Sequence, residues 1–294
     1  MARYPAALLL ILLCFFLAGF VSPKEPSLWK SRDTKLQKTF TKALRREFRG
    51  EFWLGIAEKR IGIVLVDITD LKRPRVADFN GDVMLYAASL PKIAILLGAL
   101  VEVERGNLEL DDELYASLTR MIRESSNEDA TAVLSRVGFG NLANILRSRR
   151  YRLYDPAHNG GLWVGRDYGG GKVWRRDPLH AISHGATPMQ TARFYYLAVT
   201  GRLLEPHLND ALLEILSRPA IENKFVKGLD EVNPEATIYR KSGTWKQYHS
   251  DSGIVVADNF SYIIVAITRT PQGTRLLERL IGVAEETMRH LHGE

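Results

Sequence analysis

Three short stretches of this chain carry side chains that could do chemistry together. Ser89-Leu90-Pro91-Lys92 opens a strongly apolar run, Ser125-Ser126-Asn127 falls between two segments of helical periodicity, and Lys241-Ser242-Gly243-Thr244 lies on a β-rich segment near the C-terminus. A serine and a lysine three residues apart share one helix face, so the Lys92 amine can reach the Ser89 hydroxyl. Unpaired N–H groups and the positive dipole end of a helix N-terminus favour negative charge developing there. Ile93 to Val101 is apolar on nearly every face, which predicts a buried helix and a partly desolvated Lys92. Burial lowers a lysine pKa and suits the amine to act as base for an attacking hydroxyl. Taken alone, the tetrapeptide reads more simply as an N-capping serine followed by a snorkelling lysine. A second match to the same spacing, Ser27-Leu28-Trp29-Lys30, precedes any strand and reads as accidental.

The elements that must position these groups follow from periodicity and punctuation. Trp29, Leu36, Phe40, Leu44 and Phe48 recur near the helical period, predicting a helix over residues 24–50 that Gly50 ends. Ile61–Asp67 and Arg75–Phe79, joined by a turn around Leu71–Pro74, read as a hairpin. Helices are expected over 92–105, 111–124, 127–137 and 140–150. Residues 151–186, crowded with glycine and proline, read as one long loop, a length usually tied to function or disorder. Thr187-Pro188-Met189-Gln190 has the form of a capping box with proline at the first helical position, opening a helix to about Thr200. A helix over 207–217, strands over 236–243, 252–257 and 260–269, and a final helix over 274–291 complete the chain. The order predicts an α/β lobe built from both chain ends (about 24–80 and 207–294) with a helical lobe (about 81–206) inserted, together one domain over 24–294.

Composition bounds the rest. In 294 residues, 46% hydrophobic and 25% charged residues argue against a disordered chain, a collagen-like repeat or a coiled coil. A net charge of +6 favours anionic surroundings or an anionic substrate without indicating nucleic acid. The single cysteine, Cys14, lies in the apolar run Ala6–Val21 that follows Arg3, a pattern that predicts a signal peptide over 1–22 and an exported, periplasmic or secreted protein. An uncleaved membrane anchor is the alternative. The remaining chain has no cysteine, which excludes disulfides, thiol chemistry and cysteine-ligated metal. His180 and His184 are four apart but lack the glutamate of an H-E-x-x-H pattern, and Gly169-Gly170-Gly171-Lys172 lacks the ending of a phosphate loop. No metal or cofactor is therefore expected. Trp163 and Tyr168 read as lining a site mouth, as core packing or as anchoring the loop.

The three motifs, in this set and order, resemble those of the penicillin-recognising serine enzymes, in particular class A β-lactamases and their penicillin-binding relatives. The resemblance covers most of the chain, with the hairpin before Ser89, Thr187-Pro188 opening a late helix, and the strand–turn–strand after Lys241. It implies a two-lobe α/β fold, an antiparallel sheet flanked by terminal helices plus an all-helical lobe. It also implies a monomer acting without cofactor on a small β-lactam or a D-alanyl-D-alanine-like peptide. Ser89 would be acylated, Lys92 would accept its proton directly or through water, and Ser125 would relay a proton to the leaving nitrogen. Asn127 would bind a substrate amide and help hold Lys92. Lys241 would face the site from an edge strand, with Ser242 and Thr244 contacting a substrate carboxylate, and the N–H groups of Ser89 and Thr244 would form the oxyanion hole.

Two departures stand out. Ser126 occupies a position where the family often has aspartate. The Glu-x-x-x-Asn that activates the deacylating water is missing, for no glutamate lies between Asp129 and Glu205. Asp155 and Asn159 keep the family spacing and are expected as its counterparts. The same residues also read as an Asp-Pro turn followed by an Asn-Gly turn. Besides β-lactam hydrolysis, the resemblance therefore leaves open a D-alanyl-D-alanine peptidase and a sensor or scavenger that is acylated once.

Overall fold

The computed structural model describes residues 27–171 and 173–293. The expected signal peptide and Lys172 lie outside the described residues. After a 3-10 turn at Leu28–Lys30 come α1 (Thr34–Glu47), α2 (Gly50–Ala57), β1 (Ile61–Asp67), β2 (Arg75–Phe79), β3 (Leu85–Tyr86) and α3 (Lys92–Glu104). Three more helices follow, α4 (Asp112–Arg123), α5 (Asn127–Val137) and α6 (Phe139–Arg147). The long loop contains the two-residue strands β4 (Tyr154–Asp155), β5 (Gly160–Gly161) and β6 (Trp163–Val164), then β7 (His184–Ala186). The chain ends with α7 (Pro188–Val199), α8 (Pro206–Leu216), α9 (Phe225–Val232), β8 (Thr237–Trp245), β9 (Tyr248–Val256), β10 (Ser261–Arg269) and α10 (Gly273–His292).

The main sheet has the order β2-β1-β10-β9-β8, and every pairing in it is antiparallel. All seven residues of β1 are buried, so both faces are covered. Ile63, Leu65, Tyr262 and Ile264 pack with Phe40, Leu44, Leu280 and Ala284 of α1 and α10. The alternate residues Val64, Val66, Ile263 and Val265 pack with the helical layer that includes α3 and α7. Period-two alternation thus splits one sheet between two apolar cores.

Five elements differ from expectation. The first helix is divided. Asp33 caps α1 by accepting from Leu36 N, the chain becomes extended at Phe48 and Arg49, and Gly50 opens α2 instead of ending a helix. Phe48 and Phe52 stack across the bend with centroids 4.4 Å apart, so the turn itself is packed. At α7, Thr187 takes the Gln190 N–H, but buried Gln190 finds no side-chain partner among the described residues, leaving the capping box half made. α8 packs on α3, α4 and α7, so the helical side continues through Leu216 rather than ending before residue 207. β9 begins at Tyr248, four residues earlier than expected, because His249–Ser252 are polar yet buried. Their polarity serves interior hydrogen bonds: Ser250 Oγ donates to Ala87 O at 2.8 Å and Ser252 Oγ to Lys241 O at 2.8 Å. The short helix α9 carries no side-chain cap and no expectation preceded it.

Candidate active site

Ser89 stands just ahead of α3. Ala88 before it has φ +52°, a left-handed conformation uncommon for a residue with a Cβ, and Lys92 N donates to Ser89 O at 3.2 Å. Such conformations cost energy and persist where surrounding contacts enforce them. Here the enforcing contact is β8. A Cβ on Gly243 would fall 2.4 Å from Ala87 O and 2.6 Å from Ser89 N, so only glycine lets the strand press against this turn. The backbone at Gly243–Thr244 therefore lies beside the Ser89 N–H.

Since α3 is buried along almost its whole length, Lys92 has no solvent exposure. Its ammonium donates to Ser125 O at 2.5 Å, Asn127 Oδ1 at 2.8 Å and Ser126 O at 3.1 Å, with Ser125 Oγ at 3.5 Å. Among the described residues it makes no hydrogen bond to Ser89 Oγ, contrary to the simplest reading of the motif. Burial lowers its pKa to about 7, with Asp129 partly opposing. A neutral amine keeps two N–H donors, enough for the two nearest acceptors, and frees a lone pair. If Lys92 is the base, acylation should rise with pH through about 7 and level off above it, because only the unprotonated amine accepts the Ser89 proton. Stopped-flow acylation rates between pH 5.5 and 9 would check this; a flat profile would rule Lys92 out as base.

Ser125, also left-handed at φ +61°, receives Lys241 Nζ on its hydroxyl at 2.9 Å. Lys241 donates as well to Ser242 O at 2.8 Å and is buried on the edge strand β8, as expected. Burial, reinforced by Lys92 and Arg240, drives its pKa well below that of an ordinary lysine. One hydroxyl thus lies between two desolvated amines, an arrangement suited to passing a proton. Ser126, the departure from aspartate, caps α5 by accepting from Asp129 N at 3.1 Å.

Sequence reasoning missed Lys224. This buried lysine, at φ +52°, donates to Gly243 O and Thr244 Oγ1, each at 2.7 Å, and to Ser250 O at 3.1 Å. An ammonium only donates, so the Thr244 hydroxyl accepts from it and turns its own proton elsewhere. Burial brings the Lys224 pKa down to about 8. Nothing local in Asn223-Lys224-Phe225 signals this role, which arises from a contact with a strand 20 residues on.

Ser89, Asn127, Tyr168 and Thr244 line one cavity of about 600 Å³. Lys92, Ser125, Lys241 and Ser242 stand behind this lining; Ser242, expected to contact a substrate carboxylate, is buried, and its carbonyl holds Lys241. Tyr168 is a wall of the cavity. Its ring lies 4.6 Å from Lys92 Nζ, and its backbone is tied to α5 by Thr131 Oγ1 at 3.0 Å. Trp163 is core, its Nε1 donating to Arg175 O at 3.0 Å.

Asp155 and Asn159 correct the sequence reading. Asp155 accepts from Ala157 N at 3.0 Å and from Arg152 Nε at 3.1 Å, and lines a separate surface cavity with Arg147, Arg152 and Pro178. Burial would raise its pKa, but the Ala157 N–H and Arg152 outweigh it and hold the carboxyl below its usual range. Asn159, in a left-handed turn, is exposed and donates to Asp82 O at 2.7 Å. His158 between them stacks on Trp29 at 3.8 Å. Neither residue lines the Ser89 cavity: the Asp-Pro turn satisfies its own carboxylate locally and is fastened outward. Ser27 precedes the 3-10 turn and Lys30 ends it, and the turn packs on β2 and α7.

Comparison with known proteins adds to this geometry. The model of a family described as "Beta-lactamase enzyme family" matches residues 44–117 and 114–287. The structure of PBP-A superposes with a TM-score of 0.65 at 17% identity, covering 88% of this chain and 97% of that one. A variant of PBP-A has also been solved as an acyl-enzyme complex with penicillin-G. A beta-lactamase from Sphaerobacter thermophilus gives 0.63 at 18% identity over 82% of this chain and 98% of its own. A variant of the last common ancestor of Gram-negative bacteria class A beta-lactamase gives 0.64 at 17% over 87% and 99%. No curated protein matches the chain in sequence. At these identities the structural likeness is one of fold.

Proposed function

The chain belongs to the beta-lactamase enzyme family, and from that premise we propose that Ser89 is acylated by a β-lactam or related amide and that the acyl-enzyme is hydrolysed slowly. Ser89 Oγ attacks the carbonyl carbon while its proton passes to neutral Lys92. The C–N bond then breaks, and the Ser125 hydroxyl gives its proton to the leaving nitrogen, regaining one from the Lys92 side. The N–H groups of Ser89 and Thr244 receive the oxyanion. The observation that carries this reading is the Ser125 hydroxyl held by Lys241 at 2.9 Å and facing Lys92 at 3.5 Å.

Slow release follows from what surrounds Lys92. Tyr168 covers it, and the Asp155 carboxylate is engaged outside the cavity. General-base assistance is worth about 10²–10⁴-fold, so deacylation should lag acylation by a factor in that range. Intact-protein mass followed over time after addition of a penicillin tests both halves. A stoichiometric adduct that decays slowly is expected; absence of any adduct would reject the reading. Asp155→Asn should leave the adduct lifetime unchanged, and a markedly longer lifetime would mean that the turn swings inward in the acyl-enzyme. Steady hydrolysis of a chromogenic cephalosporin would instead mark an efficient β-lactamase, and release of D-alanine from a peptide a peptidase on the same residues. Export by the N-terminal apolar segment is part of the same proposal.

A further inference from the structure

The mouth of the Ser89 cavity carries charge that acyl transfer does not use. Arg166 and Arg176 both line it. Arg166 Nη2 donates to Gly171 O at 3.4 Å and Arg176 Nη1 to Ala181 O at 3.0 Å. Among the described residues neither guanidinium pairs with a carboxylate. The one carboxylate on the cavity wall, Asp167, packs against Gly171, where a Cβ would lie 2.8 Å from its Oδ2. The other titratable groups on the wall are Tyr86, Tyr168, Tyr248 and His184.

His184, singled out in the sequence only as half of a failed metal pattern, fixes Arg166. Its Nε2 lies 3.1 Å from Arg166 O. A carbonyl only accepts, so Nε2 carries the proton, and the buried ring pins the backbone of Arg166. Burial pushes the His184 pKa down to about 4, so the ring is neutral at physiological pH and the positive charge of the mouth comes from the arginines. Three further rings line the same cavity, Tyr86, Trp245 and Tyr248. Tyr86 lies 5.0 Å from Tyr248 and 5.4 Å from Trp245, and Trp245 is 48% exposed at the opening. A cavity lined both by aromatic rings and by guanidinium groups that pair with no carboxylate among the described residues fits a ligand with an apolar ring and an anion.

We propose that Arg166 and Arg176 receive a second anionic group of the substrate, so that the preferred acyl donors are dianionic: β-lactam-type amides whose acyl side chain carries a carboxylate beside an aromatic ring. Arg–carboxylate pairing is the directional, charge-assisted contact this geometry offers. The inference rests on Ser89 as the acylated nucleophile, and two measurements separate its failure from failure of that reading.

Benzylpenicillin and α-carboxybenzylpenicillin share ring and nucleus and differ by one carboxylate. The second-order rate of adduct formation should favour the α-carboxyl compound by about tenfold or more, the worth of one hydrogen-bonded charge contact. The preference should shrink as salt is raised. In the Arg166→Gln/Arg176→Gln protein the ratio should fall towards one, and Arg166→Lys should retain part of it. A wild-type ratio near one, or a ratio kept in the double variant, overturns the proposal. The second measurement needs no chemistry: calorimetric titration of Ser89→Ala with phenylmalonate and phenylacetate. Phenylmalonate should bind about tenfold more tightly, and the difference should vanish when both arginines are replaced. Equal affinities overturn the proposal. Preferential phenylmalonate binding in a protein that neither penicillin acylates would sink the acyl-transfer reading and leave the anion-receiving mouth standing.

Discussion

Replacing Ser89 with alanine should abolish the mass adduct formed with a penicillin, whereas Ser27→Ala should leave it intact. The two serines share the same local spelling, each three residues ahead of a lysine. Tertiary context separates them. Ser89 lies on the cavity wall with its N–H against β8, and its lysine is fully buried. Ser27 precedes a single 3-10 turn whose lysine is exposed. Removing a catalytic nucleophile costs up to about 10⁶-fold in rate, which here means no detectable adduct. The hydroxyl of Ser89 makes no hydrogen bond among the described residues, so the loss should not be one of folding; stability should change by less than about 0.5 kcal/mol. An adduct that persists in Ser89→Ala would transfer the chemistry to another residue and end the proposed mechanism.

The second large effect is on stability. Asp251→Ala should destabilise the protein by about 3–5 kcal/mol, read from guanidinium-induced unfolding. Asp251 and Arg240 are both buried and joined by two hydrogen bonds of 2.8 and 2.7 Å. Arg240 also donates to Ile221 O at 2.7 Å and Asn223 O at 3.0 Å, and Asp251 accepts from Phe225 N at 3.1 Å. The pair therefore fastens the segment that carries Lys224 to the strands that carry Lys241 and Thr244. Removing Asp251 leaves a buried guanidinium without its counter-charge. Replacing Arg240 and Asp251 together by apolar residues should cost less than Asp251→Ala alone, because no orphaned charge remains. A loss below about 1 kcal/mol for Asp251→Ala would show that water reaches the arginine and that the pair does not brace the site. Acylation should slow in Asp251→Ala as well, since the hold on Thr244 loosens.

The residues that act through local rules were legible in the sequence. Ser89 and Lys92 fall at the start of an apolar helix because residues three apart share a face and because an apolar run must be buried. Ser126 caps α5 as its type predicts, and β-rich runs bounded by turns located β1, β2, β8 and β10. The order of helices and strands pointed to a sheet made from both chain ends, and the sheet order β2-β1-β10-β9-β8 realises it. Other features had no local signature. β9 was partly hidden because its buried serines and aspartate look like a loop until their partners on β8 and at Ala87 are known. Lys224 looked like any surface lysine, and its value to Thr244 exists only across two segments brought together by α9 and the sheet. Asp155 erred in the other direction. Its spacing to Asn159 promised a catalytic carboxylate, yet the Arg152 guanidinium and the Ala157 N–H, three and two residues away, satisfy it before it can reach Ser89. Spacing along a chain fixes which groups can share a helix face or a turn. Which way a loop carboxylate points, and which buried lysine meets which hydroxyl, is decided by hydrogen bonds between segments tens of residues apart, because desolvated polar groups must find partners wherever the packed fold supplies them.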